Sequence, residues 1–316
     1  MPLIIMKVLL QFPEGLKKYA LDIAKKLENE GHEVFISGSP CYGACDIALD
    51  EAKAIKADKI IHIGHNKFVK HELEIDVEYW PFPIDFPLDI VKKAIIELSK
   101  MEIKSINLVT TIQHIHQIEE MKKMFEENNI KVYMGKGFYA TENGQILGCD
   151  SKAANGDGEV VVFIGDGLFH ALGIETKKKI FLIDKNGLKD ITHIKEKIEK
   201  KRKANLIIAY NAQKFGILVS TKVGQFNLLA AKTAKKILEE AKKEAYIFVS
   251  NEIMANSLYN FNVDCYVNTA CPRIIDDTEL FGKPIINMNM LFQLKEMWKS
   301  AKNVAKNVNK SSVEKT

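Results

Sequence analysis

Short apolar runs alternate along this chain with segments whose apolar residues recur every three or four positions. Residues 7–12 form the first such run, and helical spacing follows from Leu16 to Leu27. Runs rich in β-branched residues predict buried strands, and the second pattern predicts helices. The same reading predicts strands at 33–36, 59–63, 105–110, 131–134, 159–164, 205–210, 246–249 and 264–268, and helices near 46–56, 115–127, 184–205, 227–241 and 251–258. This order indicates an α/β protein with parallel sheets covered by helices on both faces.

The predicted layout repeats about every hundred residues, with first strands near residues 7, 105 and 205. A period of this length indicates triplication of an α/β unit rather than a short solenoid repeat. A chain of 316 residues also exceeds the size at which one hydrophobic core usually stops growing. We therefore predict three domains, over residues 1–100, 101–200 and 201–316, with a pseudo-threefold arrangement around a centre.

Charge and composition narrow the class of protein. Hydrophobic residues make up 47% and charged residues 27% of the chain, as in ordinary soluble proteins. The net charge of +4 equals that of the segment 295–315 alone, where six lysines outnumber two glutamates. The remaining body is close to neutral, which argues against a nucleic-acid-binding domain and direct DNA binding. We expect the lysine-rich end to be a fraying, solvated helix, with an electrostatic contact to RNA or a partner as the alternative.

The apolar run Pro2–Leu10 is too short to span a bilayer and contains Lys7. It is followed directly by a helical pattern, without the features of a secretory signal. These observations predict a cytoplasmic protein without a membrane span, whose five cysteines are thiols or metal ligands rather than disulfides.

Three cysteines lie about a hundred residues apart, each in a short turn after a predicted strand: Cys45, Cys149 and Cys271. Ligands of parallel sheets collect beyond the carboxyl ends of the strands. Zinc fingers place at least two ligands within a few residues, whereas one thiolate per repeat indicates a site that three units build together. Three thiolates suit an iron-sulfur cubane with one open iron, or a zinc site with three cysteine ligands.

The other two cysteines have simpler interpretations. Cys265 alternates with apolar residues in a predicted strand, which is typical of core packing. Cys41 lies four residues before Cys45, which suggests either a local motif of two ligands or the first two members of a CxxxCxxC cluster loop. The third member is absent, because position 48 is Ala48.

Other polar residues follow predicted strands at the same edge. Arg273, one of only two arginines, comes two residues after Cys271, and its planar guanidinium suits bidentate binding of a carboxylate. The segment GDGLFH at 165–170 allows a close backbone approach to a ligand beside His170, although a tight turn would need the same glycines. The segment STKVGQFN at 220–227 precedes a helix whose first amides favour an anion.

Five segments together resemble the archaeal diphthamide synthases, the 2-(3-amino-3-carboxypropyl)histidine synthases. They are QFPEGL at 11–16, YGACD at 42–46, ILGC at 146–149, GDGLFH at 165–170 and ACPRI at 270–274. The resemblance covers about residues 5–290. It implies a homodimer whose protomers have three Rossmann-like domains, each contributing one cysteine to a central 4Fe-4S cluster.

By this resemblance Cys45, Cys149 and Cys271 are the cluster ligands, and S-adenosylmethionine binds the open iron. Members of the family use an electron donor to cleave the bond from sulfur to the methionine γ-carbon. The resulting 3-amino-3-carboxypropyl radical adds to imidazole C2 of one histidine in translation elongation factor 2. In view of this chemistry we assign Arg273 to the ligand carboxylate, with His170, Gln225 and Glu14 as further pocket residues. No catalytic histidine of this chain is required, because the acceptor belongs to the substrate.

Two alternatives stay open at the level of the sequence. Quinolinate synthase is also a threefold pseudosymmetric chain with three cysteines on one cluster, and there the open iron is a Lewis acid for a small diacid. In the other alternative a cluster or zinc ion is purely structural, and the chain is a non-enzymatic partner subunit.

Overall fold

The structure is a computed structural model that describes residues 5–313, with side chains described through residue 301 and at residue 303. Within this range the chain forms three β-sheets with interleaved helices, and all strand pairs except one are parallel. This confirms the predicted α/β class with three sheets. The side chains of Lys302, Lys306, Lys310 and Lys315, and the run from Pro2 to Ile4, lie outside the described residues.

The first sheet has four parallel strands in the order β2-β1-β3-β4. In chain order its elements are β1 (Lys7–Gln11), a 3-10 helix (Glu14–Tyr19), α1 (Ala20–Asn29), β2 (Glu33–Ile36), α2 (Leu49–Ile55), β3 (Lys59–Ile63), β4 (Asp76–Trp80) and α3 (Leu88–Lys100). Helix α1 turns Ala20, Ala24 and Leu27 onto the apolar side chains of β1 and β3. This three- and four-residue spacing is the one that predicted the helix.

The second sheet has the order β6-β5-β7-β8-β9, and only its hairpin β8-β9 is antiparallel. Its elements are β5 (Ser105–Thr110), α4 (Ile118–Glu127), β6 (Lys131–Tyr133), β7 (Val160–Ile164), α5 (Leu168–Leu172), β8 (Ile180–Asp184), β9 (Gly187–Asp190) and α6 (Thr192–Asn211). Strand β7 is fully buried because alternate residues enter separate apolar clusters, Val160, Val162 and Ile164 in one and Val161 and Phe163 in the other. Helix α3 packs into the first of these clusters.

The third sheet repeats the order of the first, β11-β10-β12-β13, and is parallel throughout. Its elements are β10 (Lys214–Ser220), α7 (Leu228–Glu240), β11 (Glu244–Ser250), α8 (Ala255–Leu258), β12 (Cys265–Asn268), a 3-10 helix (Pro272–Asp277), α9 (Thr278–Phe281), β13 (Ile285–Asn287) and α10 (Met288–Val313). The side chain of Asn227 caps α7 by accepting a hydrogen bond from Ala230 N at 2.9 Å.

Each sheet fixes the start of its first strand in the same way. An acidic residue just before the third strand accepts hydrogen bonds from backbone N–H groups at the start of the first strand. Asp58 accepts from Lys7, Glu159 from Lys104, and Asp264 from Gln213 and Lys214. The distances are 2.7, 3.4, 2.9 and 2.9 Å. This repeated contact supports the predicted triplication.

One predicted strand is wrong. Residues 205–210 belong to α6, and the third repeat begins with β10 at Lys214. Leu206, Ala209 and Tyr210 face the core of the third sheet, while Ile207 and Ile208 are exposed. The apolar run was thus one face of a helix plus two exposed isoleucines, which periodicity over six residues does not separate from a strand. Strands β4, β8, β9, β10 and β13 were not predicted.

By their contacts the residues separate into two compact units, 1–195 and 196–316. The first unit contains the first two sheets and the second unit contains the third. The boundaries 1–100, 101–200 and 201–316 stay a prediction. No helix in the described part of the chain is long and apolar enough to cross a membrane.

Candidate metal centre

Cys45 lies in the loop that leaves β2 and leads into α2. Gln11, the last residue of β1, forms two hydrogen bonds with this loop. Its Nε2 donates to Asp46 O at 2.7 Å, and its Oε1 accepts from Ala48 N at 3.1 Å. Tyr42 N also donates to the Asp46 carboxylate at 3.3 Å. The thiol of Cys45 is half-buried. The loop is therefore fixed at the carboxyl end of the first sheet, where ligands of parallel sheets bind.

Two histidines at the end of β3 lie beside this loop. His62 Nδ1 is 2.8 Å from Gln11 Oε1, and His62 Nε2 is 3.0 Å from His65 Nδ1. Because an amide oxygen only accepts, Nδ1 of His62 is the donor and Nε2 keeps its lone pair. Burial, with a smaller effect of His65, lowers the pKa of His62 to about 3. Burial, with a smaller effect of His170, likewise lowers the pKa of His65 to about 4. The rings of His62 and His65 are therefore both neutral at pH 7.

Cys149 lies between β6 and β7, in a tight turn closed by hydrogen bonds between Leu147 and Asp150 at 2.8 and 3.2 Å. It is the exposed member of the five cysteines. A Cβ atom on Gly148 would stand 2.5 Å from the ring of Phe169. The Cys149 turn therefore rests directly against the GDGLFH segment, and a side chain at position 148 would displace the Phe169 ring.

His170 lies in the short helix α5, half-buried beside two phenylalanine rings. Its ring centre is 6.5 Å from that of Phe163 and 5.2 Å from that of Phe169. The pKa of His65 is lowered first by burial and then by electrostatic interaction with His170. Within the first unit, His62 and His65 thus lie beside the Cys45 loop, and Phe169 lies between His170 and the Cys149 turn.

Cys271 precedes the 3-10 helix Pro272–Asp277 in the second unit, directly after β12. Asn268 fixes the turn, because its Nδ2 donates to Cys271 O at 2.8 Å. The half-buried thiol has a raised pKa, since burial disfavours the thiolate more than the amide and charge of Arg273 favour it. A positive metal centre would reverse that balance and deprotonate the thiol.

Arg273 is held by a carboxylate of this chain. Its Nε donates to Asp276 Oδ2 at 2.8 Å, while Arg202 donates to Asp276 Oδ1 through Nε at 3.1 Å and Nη2 at 2.5 Å. The two arginines of the sequence therefore share one partly buried aspartate. This contact orients the Arg273 guanidinium, which has five N–H donors in a fixed plane.

The two remaining predicted pocket residues have different surroundings. Glu14 is exposed at the start of the 3-10 helix and forms an ion pair with Lys17 at 2.5 Å. Gln225 is half-buried in the turn before α7, where its backbone N–H donates to Lys222 O at 2.8 Å. The buried ammonium group of Lys222 lies 2.6 Å from Glu252.

Exposure divides the five cysteines as their predicted roles do. Cys41 and Cys265 are buried, while Cys45, Cys149 and Cys271 are half-buried or exposed. None of the five, all within the described range, forms a disulfide. Cys265 packs in the apolar core of the third sheet, as predicted. Gln11, His62 and His65 were not predicted as site residues, although two histidines three residues apart at a strand end are a visible signal.

Comparisons with known proteins agree on one family. Residues 12–303 match the family model described as "Putative diphthamide synthesis protein". The chain is 38% identical to a 2-(3-amino-3-carboxypropyl)histidine synthase of Pyrococcus horikoshii, over 89% of this chain and 83% of that protein. A Methanocaldococcus jannaschii protein of the same name is 32% identical, over 88% and 81%. The crystal structure of Dph2 from Pyrococcus horikoshii with a 4Fe-4S cluster superposes with a TM-score of 0.82 at 36% identity, covering 92% of this chain and 86% of that one.

Proposed function

Because the chain belongs to the diphthamide synthesis protein family, we propose that it transfers a 3-amino-3-carboxypropyl group from S-adenosylmethionine to one histidine of translation elongation factor 2. This is the first step of diphthamide synthesis. The observation that carries the proposal is the similarity, over more than four fifths of both chains, to two proteins named for this product.

The three thiols have the donor chemistry that an iron-sulfur cluster needs. Cys45, Cys149 and Cys271 each lie in a loop or turn after a strand, and none of them is fully buried. They would hold a 4Fe-4S cluster and leave one iron for the nonprotein ligand. When bound, the cluster supplies the electron for cleavage of a carbon to sulfur bond in S-adenosylmethionine.

The polar residues of the chain then position the ligand. Arg273 would bind the carboxylate of the methionine moiety, with its guanidinium plane fixed by Asp276 at 2.8 Å. His170 would border the same ligand next to the Cys149 turn, and Gln225 and Glu14 would complete the pocket. The acceptor imidazole comes from the protein substrate, so the neutral His62 and His65 of this chain are not required as acceptors.

The protein acts, in this proposal, as a homodimer that receives single electrons from a redox partner. The protein substrate supplies the histidine whose C2 atom forms the new carbon to carbon bond. These assignments rest on the family, whose members from two archaea carry the name of the modified histidine.

The decisive experiment analyses the products of S-adenosylmethionine. Anaerobically reconstituted protein is incubated with S-adenosylmethionine, dithionite and elongation factor 2, and the small molecules and the tryptic peptides are analysed by mass spectrometry. We expect 5'-methylthioadenosine, and one elongation factor 2 histidine that carries the aminocarboxypropyl mass. Dominant 5'-deoxyadenosine, or no cleavage together with binding of a small diacid, would contradict the proposal.

A further inference from the structure

A second group of metal-binding side chains lies beside the Cys45 loop and shares no ligand with the proposed cluster. The Sγ atom of Cys41 and ring nitrogens of His62 and His65 all lie within 4.8 Å of one another. Cys41 and His62 are buried, and His65 is half-buried. The three come from two places in the chain, the loop after β2 and the end of β3, which the fold brings together.

The spacing of these atoms is close to that of a tetrahedral zinc site. Zinc lies about 2.0–2.1 Å from imidazole nitrogen and about 2.3 Å from thiolate sulfur, so two nitrogens in such a site are about 3.3 Å apart. The observed distance between His62 Nε2 and His65 Nδ1 is 3.0 Å. The two nitrogens therefore already have nearly the spacing of a zinc site, and the Cys41 sulfur, within 4.8 Å of both, would have to move closer to complete it.

A hydrogen bond to a residue outside this group of three orients one of the proposed ligands, His62. Zinc-bound histidines almost always donate their second ring N–H to a protein acceptor, which fixes the tautomer and raises the basicity of the bound nitrogen. His62 Nδ1 makes this contact with Gln11 Oε1 at 2.8 Å. Gln11 is itself fixed by Asp46 O and Ala48 N, so its oxygen cannot turn away without loss of both hydrogen bonds.

We propose that Cys41, His62 and His65 bind one zinc ion, with the fourth position open to water or another small ligand. One thiolate and two imidazoles suit a borderline-soft ion such as zinc, rather than magnesium or calcium, which prefer oxygen ligands. Three protein ligands with an open position are typical of zinc sites that bind an exchangeable ligand. Partial exposure of His65 gives such a ligand a path to the ion.

The test uses a full-length triple variant, Cys45→Ala/Cys149→Ala/Cys271→Ala. It lacks the three proposed cluster thiols, so cobalt(II) cannot bind to them. We expect about one cobalt per chain, with a thiolate-to-cobalt charge-transfer band. Adding Cys41→Ala should abolish the band, and adding His65→Gln should weaken cobalt affinity at least about a hundredfold. Adding Cys265→Ala, which removes a buried thiol elsewhere, should change neither.

Elemental analysis of otherwise wild-type chains provides a second readout that does not depend on that background. Protein reconstituted with iron, sulfide and zinc should hold one zinc beside the cluster iron. Cys41→Ser should lose zinc and keep iron, whereas Cys45→Ala should lose iron and keep zinc. Zinc content unaffected by Cys41→Ser, or no cobalt binding by a folded triple variant, would overturn the zinc proposal and leave the proposed function untouched.

Discussion

Two pairs of cysteines occur in this chain, and in each a buried thiol precedes a more accessible one. In the first pair, buried Cys41 faces two imidazoles and is followed four residues later by Cys45. In the second, buried Cys265 packs among apolar side chains of the third sheet and is followed by Cys271. Burial is similar in the two pairs, but the neighbours differ. The chemistry of a buried thiol is therefore decided by what surrounds it.

The second members of the pairs differ in their place in the sheet. The first and third sheets have the same parallel strand order, yet Cys45 follows the second strand of its sheet and Cys271 follows the third. The repeated unit is thus the framework of strands and helices. Cys149, like Cys45, follows the second strand of its sheet, so only the connection that holds Cys271 differs between repeats, which is consistent with loops being where function is added to a fold.

The largest effect that would test the comparison is loss of the cluster. Single alanine replacements of Cys45, Cys149 and Cys271 should each reduce bound iron from about four per chain to near zero, because a cubane with one open iron has no ligand to spare. Iron analysis and visible absorbance of anaerobically reconstituted protein measure this. Cys41→Ala and Cys265→Ala, the buried members of the pairs, serve as controls and should retain the cluster. If Cys41→Ala loses it too, the division between the two kinds of thiol fails.

The next effect separates the two arginines that share Asp276. Arg273→Lys keeps the charge but loses the planar donor, and should weaken S-adenosylmethionine binding by about 1.5–3 kcal/mol, or about 10- to 150-fold. Arg202→Lys removes a comparable contact to the same aspartate and should change affinity about fivefold or less. Equilibrium dialysis of cluster-loaded protein measures both. Equal losses in the two variants would show that Arg273 acts only through the packing of Asp276.

Much of the framework was predictable from sequence because its signals are local. Strands β2, β3 and β5 begin and end at the predicted residues, since each is a short apolar run bounded by polar residues. The strand predicted at 205–210 failed because six residues do not distinguish one face of a long helix from a buried strand. The edge strand β4 was missed because none of its five residues is fully buried and two acidic residues interrupt its apolar positions.

The candidate site was predictable only where residue type alone carried the chemistry. Dispersed thiols and a rare arginine are visible in a sequence, and the structure places each of them after a strand. The contact of Arg202 with Asp276 joins residues 74 positions apart, and that of His62 with Gln11 spans 51. Contacts between residues so far apart in sequence depend on how the sheets fold, and no local sequence pattern predicts them.

A smaller effect concerns the reactivity of the two buried thiols. In cluster-free protein treated with a zinc chelator, Cys41 should be alkylated at least about tenfold faster than Cys265, because loops open at lower free energy than central strands. Burial also raises the pKa of the Cys265 thiol, which disfavours its reactive thiolate. Mass spectrometry of iodoacetamide-treated native protein gives both rates, with exposed Cys149 as the fast reference. Added zinc should slow the alkylation of Cys41 and leave that of Cys265 unchanged. Equal alkylation rates of the two thiols after chelation would contradict the proposed difference between their surroundings.

The smallest effect tests the carboxylate that precedes Cys265. Backbone hydrogen bonds from Lys214 and then Gln213 lower the pKa of Asp264 below its usual 3.8. A lowered carboxyl pKa contributes stability that is present above the unfolded value and is lost as pH falls through the folded value. Because Asp264 is exposed, we expect Asp264→Asn to cost only about 0.5–1 kcal/mol at pH 7, and the difference from wild type to vanish below the folded pKa. Urea unfolding between pH 7 and pH 2.5 measures it.

The first sheet supplies the matched control for this last effect. Asp58 occupies the equivalent position but accepts one amide, from Lys7 at 2.7 Å, where Asp264 accepts two. Asp58→Asn should therefore cost less at pH 7 than Asp264→Asn, since each charged acceptor stabilises the start of its strand in proportion to the donors it satisfies. A larger cost for Asp58→Asn would mean that the first strand of the first sheet depends on its carboxylate more than the third sheet does. The two repeats would then differ in their framework as well as in their thiols.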